Sequence, residues 1–140
     1  RGGGGAAPRA PPPAGRGAPP RDVHERKPGA LIGAAAVIGA ILAGGSEPAV
    51  RSVDAYAAHL GLAFQIVDDI LDVEGSTAQL GKTPGKDAAA GKPTYPAVHG
   101  LARSRALAAD AVVAARDALS SAGLGGRLGD IAEWVLSRTS

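Results

Sequence analysis

Apolar residues in the first half of the chain favour a helix. Residues 30–43, ALIGAAAVIGAILA, form a continuous apolar run whose small side chains would let a neighbouring helix approach closely. Pro28 suits the first turn of such a helix, and Gly44–Gly45 suits its end. The run is shorter than the roughly 20 residues that cross a bilayer. We therefore predict a buried helix here and no transmembrane segment.

A second, longer helix is predicted next. Ser46 is a suitable N-cap, Glu47 is favourable in the first turn, and the apolar pattern continues to Glu74, where Gly75 is a stop signal. The Gly- and Pro-rich residues 75–93 are predicted as a loop. Two further amphipathic helices are indicated by Leu101, Ala108, Val112, Ala115 and Leu119, ending near Gly123, and by Leu128, Ile131 and Val135, with Trp134 beside them. No segment alternates with period two for long enough to form a strand, so the predicted fold class is all-α.

The amino-terminal segment differs from the rest in composition. Residues 1–22 are mostly Gly, Pro, Ala and Arg without apolar periodicity, and such a segment cannot bury enough surface to offset its ordering entropy. We predict a disordered arm at 1–22 and one helical domain at 23–140. The chain contains no cysteine, which excludes disulfides and thiolate metal sites and fits a cytoplasmic protein.

The positive charge belongs to the arm. Residues 1–27 contain six basic and two acidic side chains, a net charge of +4, whereas the other residues contain nine basic and eleven acidic ones, a net charge of −2. No aromatic residue is interleaved with the basic residues of the arm to stack on bases. We therefore expect no nucleic-acid partner.

Three carboxylates interrupt an apolar helical segment, GLAFQIVDDILD, at residues 61–72. Asp68 and Asp72 are four residues apart and Asp69 and Asp72 three, so like charges repel by roughly 0.2–0.5 kcal/mol per pair. A divalent cation would offset that cost, and Mg²⁺ prefers carboxylate oxygens and water as ligands. The alternative is a helix end with solvated acids. One helical stripe, typical of a cavity wall, contains Gly61, Gln65, Asp68 and Asp72.

Lys82, Lys86 and Lys92 follow the aspartates on the predicted loop. Ammonium groups beside metal-bound carboxylates suit a diphosphate, although three solvated loop lysines are the simpler alternative. A nucleotide-binding P-loop is rejected, because five residues rather than four separate Gly75 from the Gly81-Lys82 pair and a helix precedes the loop.

Together these segments resemble the carboxyl-terminal half of the trans-isoprenyl diphosphate synthases, the polyprenyl synthetase family of farnesyl and geranylgeranyl diphosphate synthases. GLAFQIVDDILD is similar to the second aspartate-rich motif of the family, and LGKTPGKD and GKPTYPA are similar to its downstream lysine segments. RKPGALI resembles its Lys-Thr-Gly-Ala-Leu-Ile segment, and the ending VLSRTS is similar too. The resemblance covers about residues 23–140 in unbroken order.

The resemblance implies part of an antiparallel helical bundle around a deep cavity, and a prenyltransferase of isoprenoid biosynthesis. In this family Mg²⁺ ions clamp an allylic diphosphate, its C–O bond ionises, and isopentenyl diphosphate attacks the resulting cation in a trans condensation. By resemblance Gln65 would orient the reacting groups, Lys82 would contact the allylic diphosphate, and Lys27 and Lys92 would add to the same positive charge. The metal ligands, direct or through water, would be Asp68, Asp69 and Asp72.

Two departures from the family pattern bear on activity. Pro28 replaces the usual Thr beside Lys27, which removes a hydroxyl and a backbone N–H. The chain also lacks a first aspartate-rich motif and a Gly-Gly-Lys-Arg segment, so we expect a fragment that does not turn over alone. The alternative is a non-catalytic helical half that associates with a partner chain, since half a bundle exposes an apolar face. A homodimer would follow the family habit. A metal-free interaction module leaves the aspartates unexplained.

Overall fold

The computed structural model of the chain describes residues 20–79 and 93–138. Those ranges form five α-helices and no strand, which confirms the predicted all-α class. The helices are α1 (Pro20–Leu42), α2 (Glu47–Gln79), α3 (Tyr95–His99), α4 (Leu101–Ser120) and α5 (Arg127–Ser137). None of the described helices combines the length and the apolar character that a membrane crossing requires.

Helix α2 is the centre of the described structure and contacts each of the other four helices. The side chains of Ser52 and Glu74 on α2 meet those of Ser121 and Arg105 in reverse order, so α4 runs antiparallel to α2. Helix α1 is also antiparallel to α2, because a short turn joins them and Gly29, in the first half of α1, lies against Gly61. Helix α5 returns parallel to α2. The described helices thus form part of an antiparallel up-and-down bundle.

The core lies where α2 packs against α4 and α5. It is built largely of Ala, Val, Leu and Ile at helical spacing, and small residues such as Ala57, Ala63 and Ala115 are fully buried at these contacts. Tyr56 is the largest side chain in this core, and its hydroxyl donates a hydrogen bond of 2.8 Å to the carbonyl oxygen of Leu128. This bond ties α2 to the start of α5.

The predicted helix ends at Gly44 and Gly123 are confirmed. Gly44 has φ of 72° and Gly123 has φ of 67°, conformations that glycine adopts without a Cβ penalty. After α1, the amides of Gly44 and Gly45 donate back to the carbonyls of Ile41 and Ala40, the pattern of a Schellman motif. The predicted N-cap of α2 is confirmed too, because Ser46 Oγ accepts from the amide of Ala49 at 3.4 Å.

Two helix boundaries, one short helix and the burial of α1 differ from the prediction. The apolar run 30–43 was predicted to be buried, but most of it is exposed, because among the described helices α1 contacts only α2. Helix α1 begins at Pro20 rather than near residue 28, so Pro28 lies inside the helix; the charged residues before it are good helix formers. Helix α2 continues past Gly75 to Gln79, since a single interior Gly costs only about 1 kcal/mol. The short helix α3 was not predicted. The division of the chain at residue 22 stays a prediction, because residues 1–19 lie outside the described ranges.

Candidate functional site: the aspartates of α2

The second half of α2 carries the predicted site residues, and its helical geometry separates them. Asp68 and Asp72 lie one turn apart on the outer face, where Asp68 is part-exposed and Asp72 is exposed. Asp69 is turned by about 100° from Asp68 and points inward, because consecutive residues of an α-helix are separated by that angle. Only 7% of Asp69 is exposed.

Both carboxylate oxygens of Asp69 accept hydrogen bonds from the chain itself. The side-chain amide of Gln65 donates to Oδ1 at 3.1 Å, and the backbone amide of Tyr95 donates to Oδ2 at 3.0 Å. Hydrogen bonds to an ionised carboxylate are stronger than neutral ones, and two of them offset much of the cost of burying the charge. Asp69 therefore joins α2 to the start of α3.

Asp68 has a different partner. Nη1 of Arg138, just after α5, donates to Asp68 Oδ1 at 2.8 Å. The Arg138 guanidinium also lies over the ring of Phe64, 4.4 Å from its centroid, and 5.7 Å from the ring of Trp134. The charged group is thus held against the outer face of α2 by one ion pair and two aromatic rings.

The two outer aspartates fit a Mg²⁺ ion only in part. Asp68 and Asp72 present hard oxygen donors on one face, as Mg²⁺ prefers, and the exposed face leaves room for water ligands. Within residues 20–79 and 93–138, however, no three His, Cys, Asp or Glu side chains are grouped so as to hold a metal ion. The remaining oxygen ligands must come from water, from a diphosphate or from protein outside these ranges.

The side chains of the predicted basic residues lie outside the described part of the chain. Three of them, Lys82, Lys86 and Lys92, lie outside the described residues. Lys27 lies on α1, where only the backbone is described. The assignments of these lysines to a diphosphate therefore stay predictions.

Two contacts at the site were not predicted from the sequence. The first is Arg138, whose partner Asp68 is 70 positions away, so no local pattern signals it. The second is the amide of Tyr95. Here a local signal exists, because Thr94 followed by Tyr95-Pro96 is a helix start, and Thr94 Oγ1 accepts from the amide of Ala97 at 3.3 Å.

One cleft of the described structure lies away from the aspartates. It has a volume of about 320 Å³ and is lined by the beginning of α2 and the end of α4, including Arg51, Ser52 and Ser121. Ser52 and Asp68 are separated by roughly 24 Å along the helix axis at 1.5 Å per residue. This cleft therefore does not belong to the aspartate site.

The part of the chain that contains the aspartates is similar in sequence to known proteins. Residues 20–120 match the family model of the polyprenyl synthetases. The chain is 57% identical over 86 residues to the putative geranylgeranyl pyrophosphate synthase 8, chloroplastic, of Arabidopsis thaliana, which covers 61% of this chain and 24% of that protein. It is 47% identical over 97 residues to the mitochondrial geranylgeranyl pyrophosphate synthase 10 of the same plant, covering 69% and 28%.

A third relative is named as one part of an assembly. The chain is 48% identical over 97 residues to the chloroplastic heterodimeric geranylgeranyl pyrophosphate synthase large subunit 1 of Arabidopsis thaliana, covering 69% of this chain and 26% of that subunit. The chain thus spans about a quarter of the length of these relatives. The names of the three relatives give chloroplastic or mitochondrial locations, and the cytoplasmic location expected for this chain stays a prediction.

Proposed function

This chain belongs to the polyprenyl synthetase family, and from that premise we propose that it forms one wall of the active site of a prenyl diphosphate synthase. The reaction is the Mg²⁺-dependent trans condensation of isopentenyl diphosphate with an allylic diphosphate in isoprenoid biosynthesis. The observation that carries the proposal is the pair Asp68 and Asp72, one turn apart on the outer face of α2 and inside the matched residues.

The outer face of α2 has the chemistry that a metal diphosphate requires. Asp68 and Asp72 offer hard oxygen ligands one turn apart, and they sit on a helix held rigidly by a buried opposite face. Bound Mg²⁺ would neutralise charge on the diphosphate leaving group and so lower the barrier to breaking its C–O bond. Asp69 is the third aspartate of the predicted ligand set, and it points inward.

The predicted substrate contacts complete the proposal. Lys82 and Lys92 would neutralise diphosphate oxygens that the metal leaves free, and Lys27 would reach the same charge from α1. Gln65 would orient the reacting groups near the aspartates. The described contact of Gln65 with Asp69 supports a defined position for this side chain, because the bond fixes the direction of its amide.

The synthase reaction would need more protein than this chain. A first aspartate-rich motif is absent from the sequence, and the chain spans about a quarter of its relatives. We therefore expect no turnover by this chain alone.

A second candidate is a non-catalytic helical half that associates with a partner chain or with a second copy of itself. The exposed apolar side chains of α1 favour association. Leu31 is 72% exposed and Leu42 is 82% exposed, and Ile38 and Ile41 lie on the same helix more than half exposed. Apolar groups grouped in this way favour burial against other protein.

The test is whether Mg²⁺ and inorganic diphosphate together protect the chain from thermal unfolding. Ligands that bind only the folded state raise the unfolding temperature by mass action. We expect protection of the wild-type chain only when both are present, and its loss in Asp68→Ala. Asp54→Ala is the matched control, because Asp54 is an exposed aspartate on the same helix, far from the site. Protection that survives in Asp68→Ala would refute the metal assignment.

A further inference from the structure

Asp69 differs from Asp68 and Asp72 in its burial and in its hydrogen bonds. Among the described residues it is the one charged side chain that is buried, at 7% exposure. Its oxygens accept from Gln65 Nε2 and from the Tyr95 amide, whereas Asp68 and Asp72 face outward. To bind a metal on the outer face, the Asp69 carboxylate would have to leave its buried position beside these two donors.

The bond to Tyr95 satisfies a backbone group that has no partner within its own helix. Tyr95 is the first residue of α3, and the first amides of a helix lack intrahelical acceptors. Thr94 Oγ1 accepts from the amide of Ala97, and Asp69 Oδ2 accepts from the amide of Tyr95. The start of α3 is therefore fixed partly by its own cap and partly by a carboxylate of α2.

The bond to Gln65 holds the carboxylate in this direction. Gln65 lies one turn before Asp69 on the same helix, and its Nε2 donates to the oxygen that Tyr95 does not use. With one donor on each oxygen, the carboxylate plane is fixed between α2 and α3. A carboxylate held in this direction does not face a metal bound on the outer face.

We propose that Asp69 is a positioning residue, which anchors the start of α3 to the aspartate helix, and that the metal of the proposed synthase site is bound by Asp68 and Asp72. This inference rests on the proposed function and removes Asp69 from the predicted set of metal ligands.

Two isosteric variants separate positioning from metal binding. Asp69→Asn removes the charge but keeps an oxygen for the Tyr95 amide, and Gln65 can rotate its amide to accept from the new NH₂ group. Asp68→Asn removes the charge on the outer face. We expect Asp69→Asn to keep the protection by Mg²⁺ and diphosphate, and Asp68→Asn to lose it.

A third variant, Asp69→Ala, removes the anchor itself. The readout is hydrogen exchange at the amide of Tyr95, followed by NMR, because within the described residues this amide donates to Asp69. Losing a hydrogen bond to a charged group should raise the exchange rate of that amide by about tenfold or more. Asp69→Asn should restore slow exchange, and Asp68→Asn should leave it unchanged.

The outcomes distinguish this inference from the proposed function. If Asp69→Asn loses the protection as fully as Asp68→Asn does, Asp69 is a metal ligand and the inference is overturned. It is also overturned if the Tyr95 amide exchanges equally slowly in Asp69→Ala. If the wild-type chain shows no protection by Mg²⁺ and diphosphate, the proposed function fails, while the Tyr95 amide still decides whether Asp69 is the anchor. Should Asp69→Ala not fold, the two isosteric variants decide the question.

Discussion

The guanidinium of Arg138 occupies one oxygen of Asp68, at 2.8 Å, on the face of α2 that is proposed to bind metal. The Arg138 side chain is 24% exposed and that of Asp68 is 42% exposed, so water screens the pair only in part. A cation at this position competes with Mg²⁺ for the same carboxylate. Arg138, just after the end of α5, is therefore expected to weaken Mg²⁺ binding at the aspartate site.

Arg138→Ala should have opposite effects on stability and on metal binding. The chain should lose about 0.5–1 kcal/mol of unfolding free energy, because one part-exposed ion pair and two cation–π contacts disappear. Mg²⁺ should bind more tightly, by roughly fivefold at most, if the competing pair contributes about 1 kcal/mol. Urea denaturation and Mg²⁺ titration by calorimetry measure the two effects.

Arg116→Ala is the matched control for this variant. Arg116 forms an ion pair with Glu133 between α4 and α5, away from the aspartates. It should cost a similar or smaller amount of stability and leave Mg²⁺ binding unchanged. Weaker Mg²⁺ binding by Arg138→Ala than by this control would mean that Arg138 supports the metal site rather than competing with it.

Tyr56→Phe should destabilise the bundle by about 1 kcal/mol, since it removes the hydroxyl that donates to the Leu128 carbonyl and leaves that oxygen without this donor. Tyr56 is 2% exposed, so water cannot easily replace the lost group. Tyr95→Phe is the control, because the Tyr95 hydroxyl has no hydrogen bond to another described residue. Equal unfolding free energies for the two variants would contradict the role of this bond.

The burial of Tyr56 predicts that the unfolding free energy depends on pH. Burial raises the pKa of Tyr56 above its ordinary value of 10.0. The folded chain then keeps the phenol proton at a pH where the unfolded chain has lost it, so the contribution of this group is complete below pH 10 and falls as the pH rises through the raised pKa. The unfolding free energy of the wild-type chain should therefore fall more steeply above pH 10 than that of Tyr56→Phe. Parallel curves would show that Tyr56 does not carry this dependence.

Features that depend on neighbouring residues were predictable from the sequence. The turn at Gly44, the cap at Ser46 and the end near Gly123 each rest on hydrogen bonds that span a few residues, so local residue types determine them. The apolar spacing of α2, α4 and α5 likewise predicts their buried faces. The all-α class follows from these local signals.

Features that depend on distant residues were not predictable. The inward direction of Asp69 is set by the amide of Tyr95, 26 positions away, and the cover over Asp68 is set by Arg138, 70 positions away. The end of α2 was misplaced for a related reason. Gly75 favours a helix stop locally, but the helix continues, and Glu74 pairs with Arg105 of α4. Tertiary contacts can override a propensity of about 1 kcal/mol.

Two glycines of α2 offer a direct comparison of backbone propensity with packing. A Cβ at Gly75 would meet no atom within 4 Å, so Gly75→Ala should stabilise the chain by about 0.5–1 kcal/mol through helix propensity alone. A Cβ at Gly61 would lie 3.0 Å from the Cα of Gly29, where α1 crosses α2. Gly61→Ala gains the same propensity but must move the backbone of α1.

At Gly61 the cost of the close contact with α1 should exceed the gain in helix propensity. Overpacking typically costs about 1–3 kcal/mol, so Gly61→Ala should be less stable than the wild-type chain by about 1 kcal/mol, although both variants introduce the same methyl group on the same helix. Urea denaturation measures the unfolding free energies of the two variants. Their difference reports the cost of packing the new methyl group at residue 61 against α1. If Gly61→Ala were as stabilising as Gly75→Ala, α1 and α2 would not cross at the distance seen here.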